Sequence, residues 1–148
     1  MLVGLLVATQ QPADATVFSC KTSQTSYRGW STSARLCAEH GAGWYRSWAQ
    51  AQTWNTATGA GVAANYSFTD LSLWYYCNTG ICYAYDFVDR SGFVGVLVAT
   101  THGNNIGCPG ASNTGKVDIV SVNTRYPDGV LRSWSPAEAT GIAFNSNC

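Results

Sequence analysis

LSLWYYCNTGICYAYDFV, residues 71–88, is dense in strand-forming side chains around a short Asn-Thr-Gly turn signal. A two-residue turn at Thr79-Gly80 makes it a β-hairpin. Asn78 then faces Ile81, and Cys77 faces Cys82. The cysteines form the closer, non-hydrogen-bonded pair, whose Cα separation of ~4.5 Å lies within disulfide reach. The same register sets Tyr76 opposite Tyr83 and Trp74 opposite Tyr85 on one side, with Phe87 beside them. Tyr75–Ala84 and Leu73–Asp86 fall on the other side. Trp74, Tyr76, Tyr83 and Tyr85 are therefore the candidate ligand-binding residues. Such a row of rings packs against sugar rings or another chain as readily as it fills a core.

Bulk composition narrows the classes around that hairpin. The chain has 148 residues, enough for one domain with a real core. Charged residues make up 11%, and Lys plus Arg equals Asp plus Glu. No basic stretch exists to follow a nucleic-acid backbone, so nucleic acid is not an expected partner. Solubility must come from Ser, Thr, Asn and Gln, and the aromatic content of 13% argues against disorder. Six cysteines fit three disulfides formed in an oxidising compartment. Three pairings of Cys20, Cys37, Cys108 and Cys148 stay open beside Cys77–Cys82. Cys20–Cys37 with Cys108–Cys148 is the expected one. Without a paired CxxC arrangement, and with two histidines, no metal site and no cofactor are expected.

Along the chain, residues 1–15 (MLVGLLVATQQPADA) resemble the second half of a signal peptide. An apolar run leads to Ala13-Asp14-Ala15, an A-x-A-like cleavage site. The run is too short to span a bilayer. If retained, it offers a strand for self-assembly with a neighbouring copy. Residues 16–148 then form a single extracellular domain. Val17–Cys20 reads as a strand and Lys21–Ser26 as a polar loop.

Thr32 and Ser33 are N-cap candidates, and Trp44, Trp48, Ala51 and Asn55 follow i, i+4, i+7, i+11. These features predict one helical segment near 33–54, with a strand as the alternative. Phe93–Thr100, FVGVLVAT, reads as a buried central strand. Val117–Thr124 and Val130–Trp134 are a hairpin around the turn Tyr126-Pro127-Asp128-Gly129. Gly141–Phe144 is the last strand. The fold class expected is mainly β, an antiparallel sheet or sandwich with α+β as the variant, stapled by disulfides.

Chemistry could reside in His40 and His102, each followed by glycine near a cysteine. Brought together, they would act as general base and acid, with Glu39 or Asp70 orienting one of them, in a ribonuclease-like hydrolase. Asp86 and Asp89 are adjacent in sequence rather than placed to frame a cleft, and read as turn carboxylates. No G-x-S-x-G elbow is present. Six Trp and eight Tyr exceed what a small core hides. The leading expectation is therefore a secreted binding module, not an enzyme, with a glycan as first ligand and an extracellular protein as the other partner. The hydrolase and a structural subunit of a surface assembly are the alternatives. Non-reducing peptide mapping should recover Cys77 joined to Cys82; recovery of Cys77 with a distant cysteine would reject the hairpin register.

Overall fold

The computed structural model describes residues 16–76, 82–107 and 114–144. Twelve strands fill them: β1 (Thr16–Tyr27), β2 (Trp30–Gly41), β3 (Trp44–Asn55), β4 (Gly61–Val62), β5 (Ala64–Tyr76), β6 (Cys82–Val96), β7 (Val98–His102), β8 (Ile106–Gly107), β9 (Thr114–Asp118), β10 (Ser121–Arg125), β11 (Leu131–Trp134) and β12 (Ala139–Ala143). They form two antiparallel sheets. In the first, β1, β2 and β3 are successive hairpins. The short strands β4, β7 and β8 lie end to end along the far edge of β3. In the second, β5 pairs with β6 on one side. On the other side it pairs with β10 near its start and β9 near its end, and β11 and β12 extend those two.

The expected helix over 33–54 is absent; this segment is the β2–β3 hairpin. The i, i+4 spacing of Trp44 and Trp48 is even, so it suits a strand as well as a helix. The deciding signal is the alternation of Ala49, Gln50, Ala51, Gln52 and Thr53. Ala49, Ala51 and Thr53 are buried while Gln52 is exposed, a period of two. Residues 21–26, read as a loop, continue β1 to a two-residue turn. There Arg28 (φ 44°) and Gly29 (φ 84°) both take the positive values that such hairpins need. The FVGVLVAT run is not a central strand either. It bends at Leu97 between β6 and β7, leaving Val94, Leu97 and Val98 exposed.

Cys20 and Cys37 are bonded, as expected, across a directly paired position of β1 and β2, with Cα atoms 4.1 Å apart. Cys77, Cys108 and Cys148 lie outside the described residues, as do residues 1–15. The turn at Tyr126–Gly129 joins β10 to β11 as read from its residues. Gly129 N donates to Tyr126 O at 2.9 Å. Among the described residues no helix is long and apolar enough to cross a membrane.

The core lies between the sheets. The first sheet contributes mostly small side chains: Ala34, Ala38, Ala49, Ala51 and Ala99, with Leu36 and Tyr45. The second contributes bulk: Tyr66, Phe68, Leu71, Leu73, Val117, Val122, Ile142 and Phe144. Large on small lets the layers interdigitate at the ~10 Å spacing of packed sheets. Phe144 meets Tyr45 edge-on across the layers, at 4.8 Å between centroids. Gly115 makes room for it, since a Cβ there would collide with the Trp74 carbonyl and the Phe144 ring. Two hydroxyl pairs cross the layers: Tyr66 Oη donates to Thr53 Oγ1 at 2.7 Å, and Tyr126 Oη and Thr32 Oγ1 share a bond of 2.9 Å.

Urea unfolding tests this fit from both sides. Phe144→Ala should lose about 3–5 kcal/mol by opening a cavity. Ala49→Leu should lose about 1–3 kcal/mol by overpacking the opposite face.

Candidate functional site

The side chain of Trp74 reaches the outside of the second sheet because β5 changes phase. Tyr66 and Phe68 point inward, then Leu71 and Leu73 do. An irregularity between Phe68 and Leu71 shifts the alternation by one, with Asp70 at φ 50°. Ser72 and Trp74 therefore face out. Opposite them on β9 stand Asp118 and Lys116, and Phe87 on β6 is paired with Ser72.

These residues form a shelf. Phe87 meets Trp74 edge to face, with centroids 5.3 Å apart and planes at 83°. Lys116 Nζ lies 5.5 Å from the centre of the Trp74 ring. It is 2.6 Å from Glu138 Oε2 and 3.6 Å from Asp118 Oδ2. Trp74 Nε1 donates to Ser72 Oγ at 2.8 Å, and Ser72 Oγ donates to the Asp118 carbonyl at 3.3 Å. The indole is thus held from both its edge and its face. Phe87 remains 54% exposed, so the shelf presents an aromatic surface beside one ammonium and two carboxylates.

The hairpin register differs from the expected one. Leu73 faces Asp86 as read, but Trp74 then faces Ala84, Tyr75 faces Tyr83 and Tyr76 faces Cys82. Tyr85 is the extra residue of a bulge, so the pairs Trp74–Tyr85 and Tyr76–Tyr83 do not form. The slip starts beside Asp86, whose carboxylate leaves the hairpin to accept from Asn104 N at 2.8 Å and Asn104 Nδ2 at 3.0 Å. The side chains of Tyr76, Tyr83 and Tyr85 lie outside the described set. Phe87, Lys116 and Glu138 were not among the ligand-binding candidates. Phe87 had a signal, its alternation with Tyr85; Lys116 and Glu138 reach the shelf only through sheet topology.

The two histidines do not meet. His40 is paired with Tyr45 and His102 with Trp48. Three positions separate those partners on β3, so the imidazoles belong to opposite faces of the first sheet. Glu39 shares the outer face with His102 but is sealed there. It has 0% exposure, and Arg46 Nε donates to its Oε2 at 2.5 Å. Trp44 lies over Gly41, with the Arg46 guanidinium 4.8 Å from its ring centre. Trp48 is 8% exposed, with Arg35 over its ring. A carboxylate so covered offers no oxygen to a substrate. Among the described residues no group of three His, Cys, Asp or Glu side chains could hold a metal ion.

No protein-family model matches the chain, and no curated protein matches it either. The site's chemistry therefore rests on its own residues.

His102 keeps one side in solvent, yet partial burial pushes its imidazole below the ordinary value, and the cations Arg46 and Arg90 add to this against the opposing pull of Glu39. A depressed folded value means that the unfolded chain holds the proton more tightly. The resulting stability is complete above the ordinary imidazole value of about 6.5 and is lost as pH falls through the lower folded value. An NMR titration should place His102 below 6.5 and His102→Gln should flatten this part of the acid limb; a His102 value above 6.5 would refute the assignment.

Proposed function

We propose that this domain is a secreted, non-catalytic glycan-binding module and that the Trp74–Phe87 shelf is its ligand site. The observation that carries the reading is the contrast between the two outer faces. Trp44 and Trp48 are covered by arginines, whereas Phe87 stands 54% exposed against Trp74. Phe87 and Trp74 together form a contiguous aromatic patch rimmed by polar groups, the kind of surface that a ligand covers. A pyranose has an apolar C–H face and a rim of hydroxyls. The shelf matches both, with rings for the face and Lys116, Glu138 and Asp118 for the rim. The cysteine content and the Cys20–Cys37 bond, which suit an oxidising compartment, support the secreted part of the reading.

A glycan array probed with the oxidised protein tests the reading. Phe87→Ala should reduce binding about tenfold or more, as loss of a central aromatic anchor does. Its thermal midpoint should barely move, because the ring is mostly in solvent. Failure of the parent protein to bind any glycan, or unchanged binding by Phe87→Ala, would reject it.

A further inference from the structure

Among the described residues seven large hydrophobic side chains are exposed, and five of them gather at one end of the sandwich, away from the shelf: Val94 (71%), Leu97 (58%), Val98 (43%), Val130 (37%) and Leu131 (51%). The register brings them there. Ala64 is paired with Val96, Asn65 with Arg125, and Arg125 with Leu131. Asn65 Oδ1 accepts from Gly95 N at 2.7 Å, which holds the Val94 end of β6 beside that row. The β1–β2 turn of the other sheet closes on the same end. The Tyr27 ring lies tilted against Tyr126, with centroids 4.9 Å apart, and Tyr27 Oη donates to Asp128 at 3.2 Å.

The charge at this end is one-sided. Arg28, Arg125 and Arg132 stand there with the single carboxylate of Asp128. Asp128 lies 3.9 Å from Arg28, whose side chain is 72% exposed. Arg125 Nη1 donates to the Gly129 carbonyl at 2.7 Å, and the Arg132 guanidinium lies 5.0 Å from the Tyr27 ring centre. Both are held by neutral groups, so their charge is not cancelled. The chain as a whole has no net charge, and the shelf surrounds one ammonium with two carboxylates. This end therefore carries a local excess of positive charge beside the exposed apolar side chains.

We infer that this end docks on an anionic membrane surface, with Val94, Leu97, Val130 and Leu131 entering the interface and the arginines meeting acidic headgroups. Apolar side chains projecting from neighbouring strand ends and rimmed by cations suit a lipid surface, because shallow burial and headgroup attraction add. The half-buried rings of Tyr27 and Trp30 stand behind the arginines, where amphipathic aromatics favour an interface. The inference does not rest on the glycan reading, which concerns the other end.

Sedimentation of the oxidised full chain with phosphatidylcholine vesicles, with and without phosphatidylserine, tests it. Binding should require phosphatidylserine and fall as salt rises. Arg28→Asn, which keeps a residue tolerant of positive φ, and Arg125→Gln should each weaken binding about fivefold. The double variant Leu97→Ser/Leu131→Ser should lose binding while its thermal midpoint holds. Equal binding to both vesicles, binding to neither, or binding unchanged by the double variant would overturn the inference. So would a concentration-dependent dimer of the parent that the double variant abolishes, since the end would then cover a second copy.

Discussion

The phase change in β5 is the constraint on which the rest of the second sheet depends. Alternation along a strand assigns each residue to one face, and a single extra residue exchanges the faces for everything beyond it. Asp70 takes that extra residue's strain at φ 50°. Its amide is held by Asp89 Oδ1 at 2.9 Å. The neighbouring strands answer in the same row. Val120 N donates to Thr69 O at 3.0 Å, and the core positions pass from Val117 and Ile119 to Val122. Val120, at the crossing point, is left 57% exposed. Without the switch Trp74 would point at the first sheet, and Leu71 and Leu73 would face water.

The first sheet solves a different problem. Its inner face is nearly flat, paved with alanine and threonine, so that the large residues of the opposite layer can fill the gap. Trp44 and Trp48 stand on its outer face, where Arg46 and Arg35 cover them. That arrangement consumes the chemistry this face carries. The Glu39 carboxylate is spent on Arg46, and one of its oxygens has no hydrogen-bond partner among the described residues. Burial of a charge is tolerated only when the pairing geometry is good. The pair fixes the β2–β3 end rather than presenting a reactive group.

Local signals were legible where the physics is local. The Cys20–Cys37 bond, the Tyr126–Gly129 turn and the presence of the β5–β6 hairpin could all be read from residues close together in sequence. The helix expected over 33–54 failed because Trp44 and Trp48 satisfy two periodicities at once, and the alanine–glutamine alternation carried the strand. The hairpin register failed because a two-residue turn was extended as an unbroken ladder. Asp86 is drawn toward Asn104 by long-range packing that no local pattern encodes. The same holds for the shelf. Trp74 was identifiable, but Lys116 on β9 and Glu138, just before β12, lie more than forty residues from it in the chain.

The broken edge of the first sheet bears on the order in which the chain assembles. β1, β2 and β3 follow one another through short turns, so their pairing closes only small loops. The opposite edge of β3 waits for β7 and β8, which return after the whole β5–β6 excursion. Loop closure of that length must be met before its contacts repay it, which slows such topologies. The three-stranded meander is thus the natural seed, and β7 and β8 along β3 are its latest additions. Until they arrive, β3 offers an open hydrogen-bonding edge to any other extended chain. Slow closure of this one border, rather than instability of the finished sandwich, is the interval in which the protein is most exposed to mispairing.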